Sequence, residues 1–139
     1  YFDLDMSNNK VSFDRIYPVV KQYGMIKQSV FYTQGVSITQ SALNKDENVI
    51  AMPIISNEDR LNLFENDNRI KAAHFQSQTF NQNFVNRAKA KGWFIFMNAY
   101  VNSTKSPLDD NYSDVDRISN LAGNIVQTDF PVLIKEHLK

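Results

Sequence analysis

The chain has no cysteine. That excludes disulfide frameworks, thiol nucleophiles and cysteine-based zinc sites, and it leaves the redox compartment open. It has only four glycines, too few for the glycine-rich turns that cradle phosphates in nucleotide-binding folds, and none forms such a turn after the first strand. Neither sign of charge dominates. Lys plus Arg and Asp plus Glu both number 15, and the basic residues are scattered, so no broad positive field for nucleic acid is expected. No apolar run approaches the ~20 residues that cross a bilayer. Also missing are a Ser/His/Asp pattern, a His-rich metal motif and a Walker-type loop.

What remains is a rhythm of short β-rich runs and longer helical patterns. Residues 1–6 read as the end of a strand, followed by the polar turn 7–10. A helix fits 13–23, with Ser12 as its cap, with Ile16, Val19, Val20 and Tyr23 on one face, and with Pro18 expected to kink or shorten it. Gly24 supplies its stop. Strands are expected at 29–32, 48–55, 69–75, 93–101 and 124–127, and the run 48–55 is apolar enough to be covered on both faces. Helices are expected at 37–43, at 57–66 capped by Ser56 with Leu61, Leu63 and Phe64 inward, from Thr79 or Asn81 to about 91 closed by Gly92, at 114–121, and at 131–138 opened by Pro131.

Strand alternating with helix about six times implies parallel strands joined by right-handed crossovers. Two architectures satisfy this: an open doubly wound sheet, or part of a barrel. A whole (β/α)-barrel takes about 250 residues, so this length supplies five or six of its eight strands. The single domain 1–139 opens on Tyr1 rather than Met and on a strand, which reads as a chain cut from something longer, with any targeting segment upstream.

In parallel α/β folds chemistry sits at the C-terminal ends of strands. Asp3 and Asp5, two apart in the first strand, share a face and make a plausible hard-cation site; the alternative is a polar rim. Asn98, near the end of the fifth strand, can donate to a phosphate oxygen, accept from a sugar-like hydroxyl, or tie down the next loop. Gln76 and Gln78 flank the end of the fourth strand and either line a pocket or lie on the surface. His74, inside AAHFQ, reads as a packed residue rather than a catalyst. His137 reads as a cation complementing the last helix's dipole, and Thr128 with Asp129 as caps of that helix. Trp93 is expected to pack.

Three segments in order resemble the glycerophosphodiester phosphodiesterases and their phospholipase C-like relatives. FDLDM (2–6) is similar to the mid-barrel strand carrying Glu-x-Lys, with Asp3 in place of the metal-binding glutamate and Asp5 where the lysine belongs. AKAKGWFIFMNAY (88–100) is similar to the family's helix, glycine, strand segment, with Asn98 at the strand end and Asp109 and Asp110 in the loop beyond. LAGNIVQTDFP (121–131) is the most specific, matching the last barrel strand at Thr128, Asp129 and Pro131 and departing at Asn124 and Ile125.

The resemblance implies the C-terminal portion of a TIM-type barrel, with five to six parallel strands and helices outside. It further implies a divalent metal, Ca or Mg, in the intact enzyme, with Asp3 as a ligand, and a phosphodiester substrate in a pocket shaped by Asp5, Gln76 and Asn98. The family's catalytic histidine pair, first arginine and Glu-x-Asp ligands come from strands preceding Tyr1, so 1–139 alone is expected to be catalytically silent. The other readings are a non-catalytic phosphodiesterase-like binding or assembly module, and an unrelated open sheet. An incomplete barrel leaves strand edges open, which implies pairing into a homo-oligomer.

Overall fold

The computed structural model describes residues 2–4, 13–76, 79–98, 113–121, 123–128 and 131–139. Six strands alternate with six α-helices: β1 (Phe2–Leu4), α1 (Phe13–Gln22), β2 (Val30–Thr33), α2 (Val36–Lys45), β3 (Ile50–Ile55), α3 (Glu58–Glu65), β4 (Ala72–Phe75), α4 (Gln82–Ala90), β5 (Phe94–Asn98), α5 (Ser113–Asn120), β6 (Ile125–Gln127) and α6 (Pro131–His137). Every neighbouring pair is parallel, and the order across the sheet is the order in sequence, β1 to β6. With no reversal of strand order there is no switch point. Crossovers of one hand then carry the helices to one side. The result is a curled half-barrel with helices outside.

Alternation along the strands separates two apolar layers. Phe31, Ala51, Ile55, Ala73, Phe75, Ile95 and Met97 face outward and join Phe13, Tyr17 and Val20 of α1, Leu43 of α2, Leu61 and Phe64 of α3, Val85 of α4 and Ile118 of α5 in one core. The residues between them, Tyr32, Met52, Ala72 and Phe96, form a second cluster with Val30, Ile50 and Ile54. That second cluster is the inner face. The apolar run 48–55 is therefore covered by helices on its outer face only, and its other face lines the hollow of the arc.

Local chemistry explains the element ends. The helix after β3 is capped by Asn57, whose side chain accepts from Arg60 N at 2.9 Å; this displaces Ser56, the expected cap, by one residue. Of the two expected openings of α4, Asn81 is the cap, accepting from Phe84 N at 3.1 Å. Thr79 instead donates its hydroxyl to Ile55 O at 2.7 Å, tying the start of the α4 connection to the end of β3. Gly24 and Gly92, at φ 68° and 70°, end α1 and the turn after α4 in the left-handed region that glycine enters without strain.

Two expected faces are corrected. In α1 the buried residues are Phe13, Tyr17 and Val20, while Val19 and Tyr23 are exposed. Tyr17 is recruited because its ring packs on Phe13 and its hydroxyl reaches Asp46 at 2.9 Å. In α3, Leu63 is exposed and Leu61 and Phe64 alone are buried. Pro18 lies inside α1, which continues through it as one helix. The helix also starts at Phe13, so the hydrogen bond that Pro18 cannot make is a first-turn one, to Asp14 O. Trp93 is buried, as expected of a packing residue.

The caps supply the first testable outcome. Asn57→Ala and Asn81→Ala each remove a satisfied helix N-terminus and should lower unfolding free energy by about 1 kcal/mol. Ser56→Ala should change it by less than about 0.5 kcal/mol. Urea denaturation of the three variants checks the assignment.

Candidate functional site

The strands end together at one mouth of the arc, and the register says which residues share a level there. Tyr32 pairs with Met52, and Asp3 pairs with Tyr32 on the other side. One step nearer the mouth, Ile54, His74, Phe96 and Ile125 form a row. At the end, Asn98 pairs with Gln127, and Gln76 follows β4 on the same parity as His74. The inner face thus passes from aliphatic, through an aromatic and imidazole row, to a rim of amides.

For Asp3 the backbone sets the position: level with Tyr32, on the inward parity. Asp5, Gln78, Asp109, Asp110 and Asp129 lie outside the described residues. Gln76 and Asn98 are half-buried and belong to the same end of the same face, so the structure brings these two together. Gln76 is held there by its backbone, because its N–H donates to Ile55 O at 3.2 Å and its own carbonyl accepts from Thr79 and Phe80 N–H groups. Asn124, a departure from the family-like motif, has a definite use. Its Oδ1 accepts from Ile95 N at 2.8 Å and its own N–H donates to Ile95 O at 3.0 Å, which docks β6 onto β5.

His74 is buried at 6 % exposure between two rings, with Tyr32 and Phe96 each 5.1 Å away between centroids. Burial lowers its pKa to about 4, so the imidazole is neutral near pH 7. Among the described residues its Nδ1 has no hydrogen-bond partner, and neither has the buried Oδ1 of Asn98. The expectation that His74 is packed holds for its ring and not for this nitrogen.

Sequence reasoning missed the groove that runs along this inner face. It is an apolar hollow of about 670 Å³ lined by Val30, Ile50, Ala72, Phe94, Phe96 and Ile125, among others. Phe94 is 59 % and Ile125 43 % exposed, each as the first residue of its strand. Strands apolar on both parities read the same whether helices cover one face or two, so the sequence held no signal for this open face.

At the other end of the strands, the turns that lead into them carry structural ion pairs. Arg69 binds Asp67 at 2.7 Å and also contacts Asn44 and Gln40, and the guanidinium holds the Asp67 carboxyl down to about 2. Arg87 links α4 to Glu58 and Glu65 of α3. His137 meets Asp116 of α5 at 2.6 Å, a surface contact between the last two helices.

Among the described residues, no group of three or more His, Cys, Asp and Glu side chains could hold a metal ion, and no helix is long and apolar enough to cross a membrane. The described side chains at the mouth are amides and a neutral imidazole, which alone do not fit the carboxylate-rich set that Ca or Mg takes. No protein-family model matches the chain, and no curated protein matches it.

The imidazole makes stability depend on pH in a stated direction. An unfolded histidine protonates near 6.5, whereas His74 in the fold resists protonation down to about 4. Its contribution is therefore intact above pH 6.5 and is lost progressively as pH falls from 6.5 to about 4, by at most about 3 kcal/mol. His74→Phe should flatten the profile in that window. Equal losses in the two proteins, followed by denaturant unfolding between pH 7 and 4, would rule the assignment out.

Proposed function

We propose that this chain is the C-terminal six-strand portion of a phospholipase C-like phosphodiesterase barrel, and that its mouth forms part of a glycerophosphodiester pocket. The observation that carries the reading is the sequential parallel order of β1 to β6, which leaves one curved inner face and gathers Asn98, Gln76 and Gln127 at the strand ends. That is the working end of a barrel and not of a doubly wound sheet. The TDxP ending in LAGNIVQTDFP and the helix, glycine, strand segment before Asn98 support the same reading.

In this reading Asn98 and Gln76 position the substrate, and Asp3, level with Tyr32 in the backbone register of β1, is the candidate carboxylate from that strand. A divalent cation, when bound to the intact enzyme, supplies charge stabilisation to the phosphate. The described residues contribute walls and hydrogen bonds. The neutral His74, held between rings, is placed for packing and recognition; general acid and base groups would come from strands outside 1–139.

A second reading, a binding or assembly module, is favoured by one observation: the open groove with Phe94 and Ile125 exposed. Apolar inner faces and free strand edges favour pairing with another chain.

Titration of ¹⁵N-labelled protein with glycerophosphocholine in the presence of calcium separates them. The phosphodiesterase reading expects shifts at Asn98, Gln127 and Thr128, with no turnover by 1–139 alone. Shifts confined to Phe94 and Ile125, or hydrolysis at an ordinary enzymatic rate, would contradict it. Self-association in sedimentation, without mouth shifts, would favour the assembly module.

A further inference from the structure

We infer that the exposed end of α1 and the turn after it dock onto an anionic lipid bilayer. Val19, Tyr23 and Met25 enter the headgroup layer, and Arg15, Lys21 and Lys27 meet the lipid charge around them. Two independent observations coincide there. Among the described residues eight large hydrophobic side chains are exposed, and three of them, Val19, Tyr23 and Met25, fall within seven consecutive positions. Charge is segregated over the same stretch. Residues 15–45 hold the four cations Arg15, Lys21, Lys27 and Lys45 and no Asp or Glu, so in a chain of net charge zero the remainder carries −4.

The backbone holds these side chains together. Arg15, Val19 and Tyr23 stand four residues apart, in one stripe of the helix. Tyr23 N–H donates to Val19 O at 3.2 Å, which carries the helical turn as far as that residue. Gly24, at φ 68°, then reverses the chain. Its N–H donates to Lys21 O at 2.9 Å and that of Met25 to Val20 O at 3.0 Å. This paired closure returns the residue after the glycine to the flank of the last helical turn, beside positions 19 and 20. Met25 O in turn accepts from Ser29 Oγ at 2.8 Å, and buried Ile26 anchors the single turn Ile26–Gln28 that carries Lys27. Since α1 joins two parallel strands, it ends where β2 begins, at the end of the arc opposite the mouth. The surface is therefore separate from the pocket proposed above and does not rest on that reading.

Charge and size select the occupant. Asp14 and Asp46, which flank the acid-free interval, are both engaged: Asp14 with Lys45 at 3.5 Å, Asp46 with the Tyr17 hydroxyl at 2.9 Å and with Asn48. Lys21 donates to the Tyr17 hydroxyl at 3.0 Å. Among the described residues no ion pair joins Arg15, Lys21 or Lys27 to a carboxylate. Three cations around an apolar tip favour an anionic surface. A stable protein partner needs roughly 800 Å² from each side, far more than three side chains on one helix end supply. A bilayer needs no such area, because it closes around whatever enters it. Tyr23 suits that boundary, with an apolar ring and a polar tip, and Lys and Arg stems lie along apolar matter with their heads in water.

The test is cosedimentation of 1–139 with phosphatidylcholine vesicles, with and without about a quarter phosphatidylglycerol, at low salt. The chain should pellet with the anionic vesicles and not with the neutral ones. Arg15→Gln with Lys27→Gln should weaken partitioning about twentyfold, at about fivefold per cation. Tyr23→Ser with Met25→Ser should weaken it at least about tenfold. The same loss of charge elsewhere, Lys91→Gln with Lys135→Gln, should cost less than about threefold. Position is read separately. A solvent-sensitive dye on Met25→Cys, the native chain having no cysteine, should shift to the blue on anionic vesicles. A dye on Leu63→Cys, a comparably exposed site on α3, should not. No binding, equal binding to neutral vesicles, equal loss in the two charge variants, or a dye shift at 63 as large as at 25 would overturn the proposal. A shift at 25 with poly-L-glutamate matching that with vesicles would overturn the choice of a lipid in favour of an acidic chain.

Discussion

Parallel strands that neighbour each other in sequence order have one way to be joined. Each crossover must leave at one end, pack on the sheet and return, and handedness sends all of them to the same side. In this chain five successive crossovers obey that constraint. The sheet is thereby committed to a convex face under helices and a concave face without them. Core, groove and mouth all descend from it. The outer parity of every strand from β2 to β5 joins the single helix-covered core, and the inner parity is left to form its own small cluster.

The concave face changes character along the strands. Its hollow is apolar and open, with Phe94 and Ile125 exposed along it. Its upper part holds His74 between rings, and its rim is made of amides.

Much of this was legible beforehand, for physical reasons that differ by element. The six strand and helix alternations could be read because each strand is β-branched or aromatic and each helix ends on a cap, glycine or polar turn. The Asn98 position could be read because a strand running FIFM into an amide has a clear C-terminal end. Faces were harder. Val19 and Tyr23 have helical spacing with Ile16, but Tyr17 takes the buried position through its hydroxyl's bond to Asp46, a long-range contact absent from local periodicity. The exposure of Phe94 could not be read at all, since an apolar residue opening an apolar strand looks the same whether helices cover one side or two. His74 was read as packed, and only the fold reveals that its Nδ1 has no partner among the described residues.

The central claim, one covered face and one open face, is testable by thiol accessibility, because the native chain contributes no cysteine of its own. Phe94→Cys and Ile95→Cys place single thiols at adjacent positions on opposite faces of β5, the first 59 % exposed and the second fully buried in the native side chain. In dilute solution the account predicts that the thiol at 94 is modified at close to the rate of the unfolded chain while the thiol at 95 is protected by orders of magnitude. Equal, strong protection at both positions would mean helices on both faces, and would contradict it.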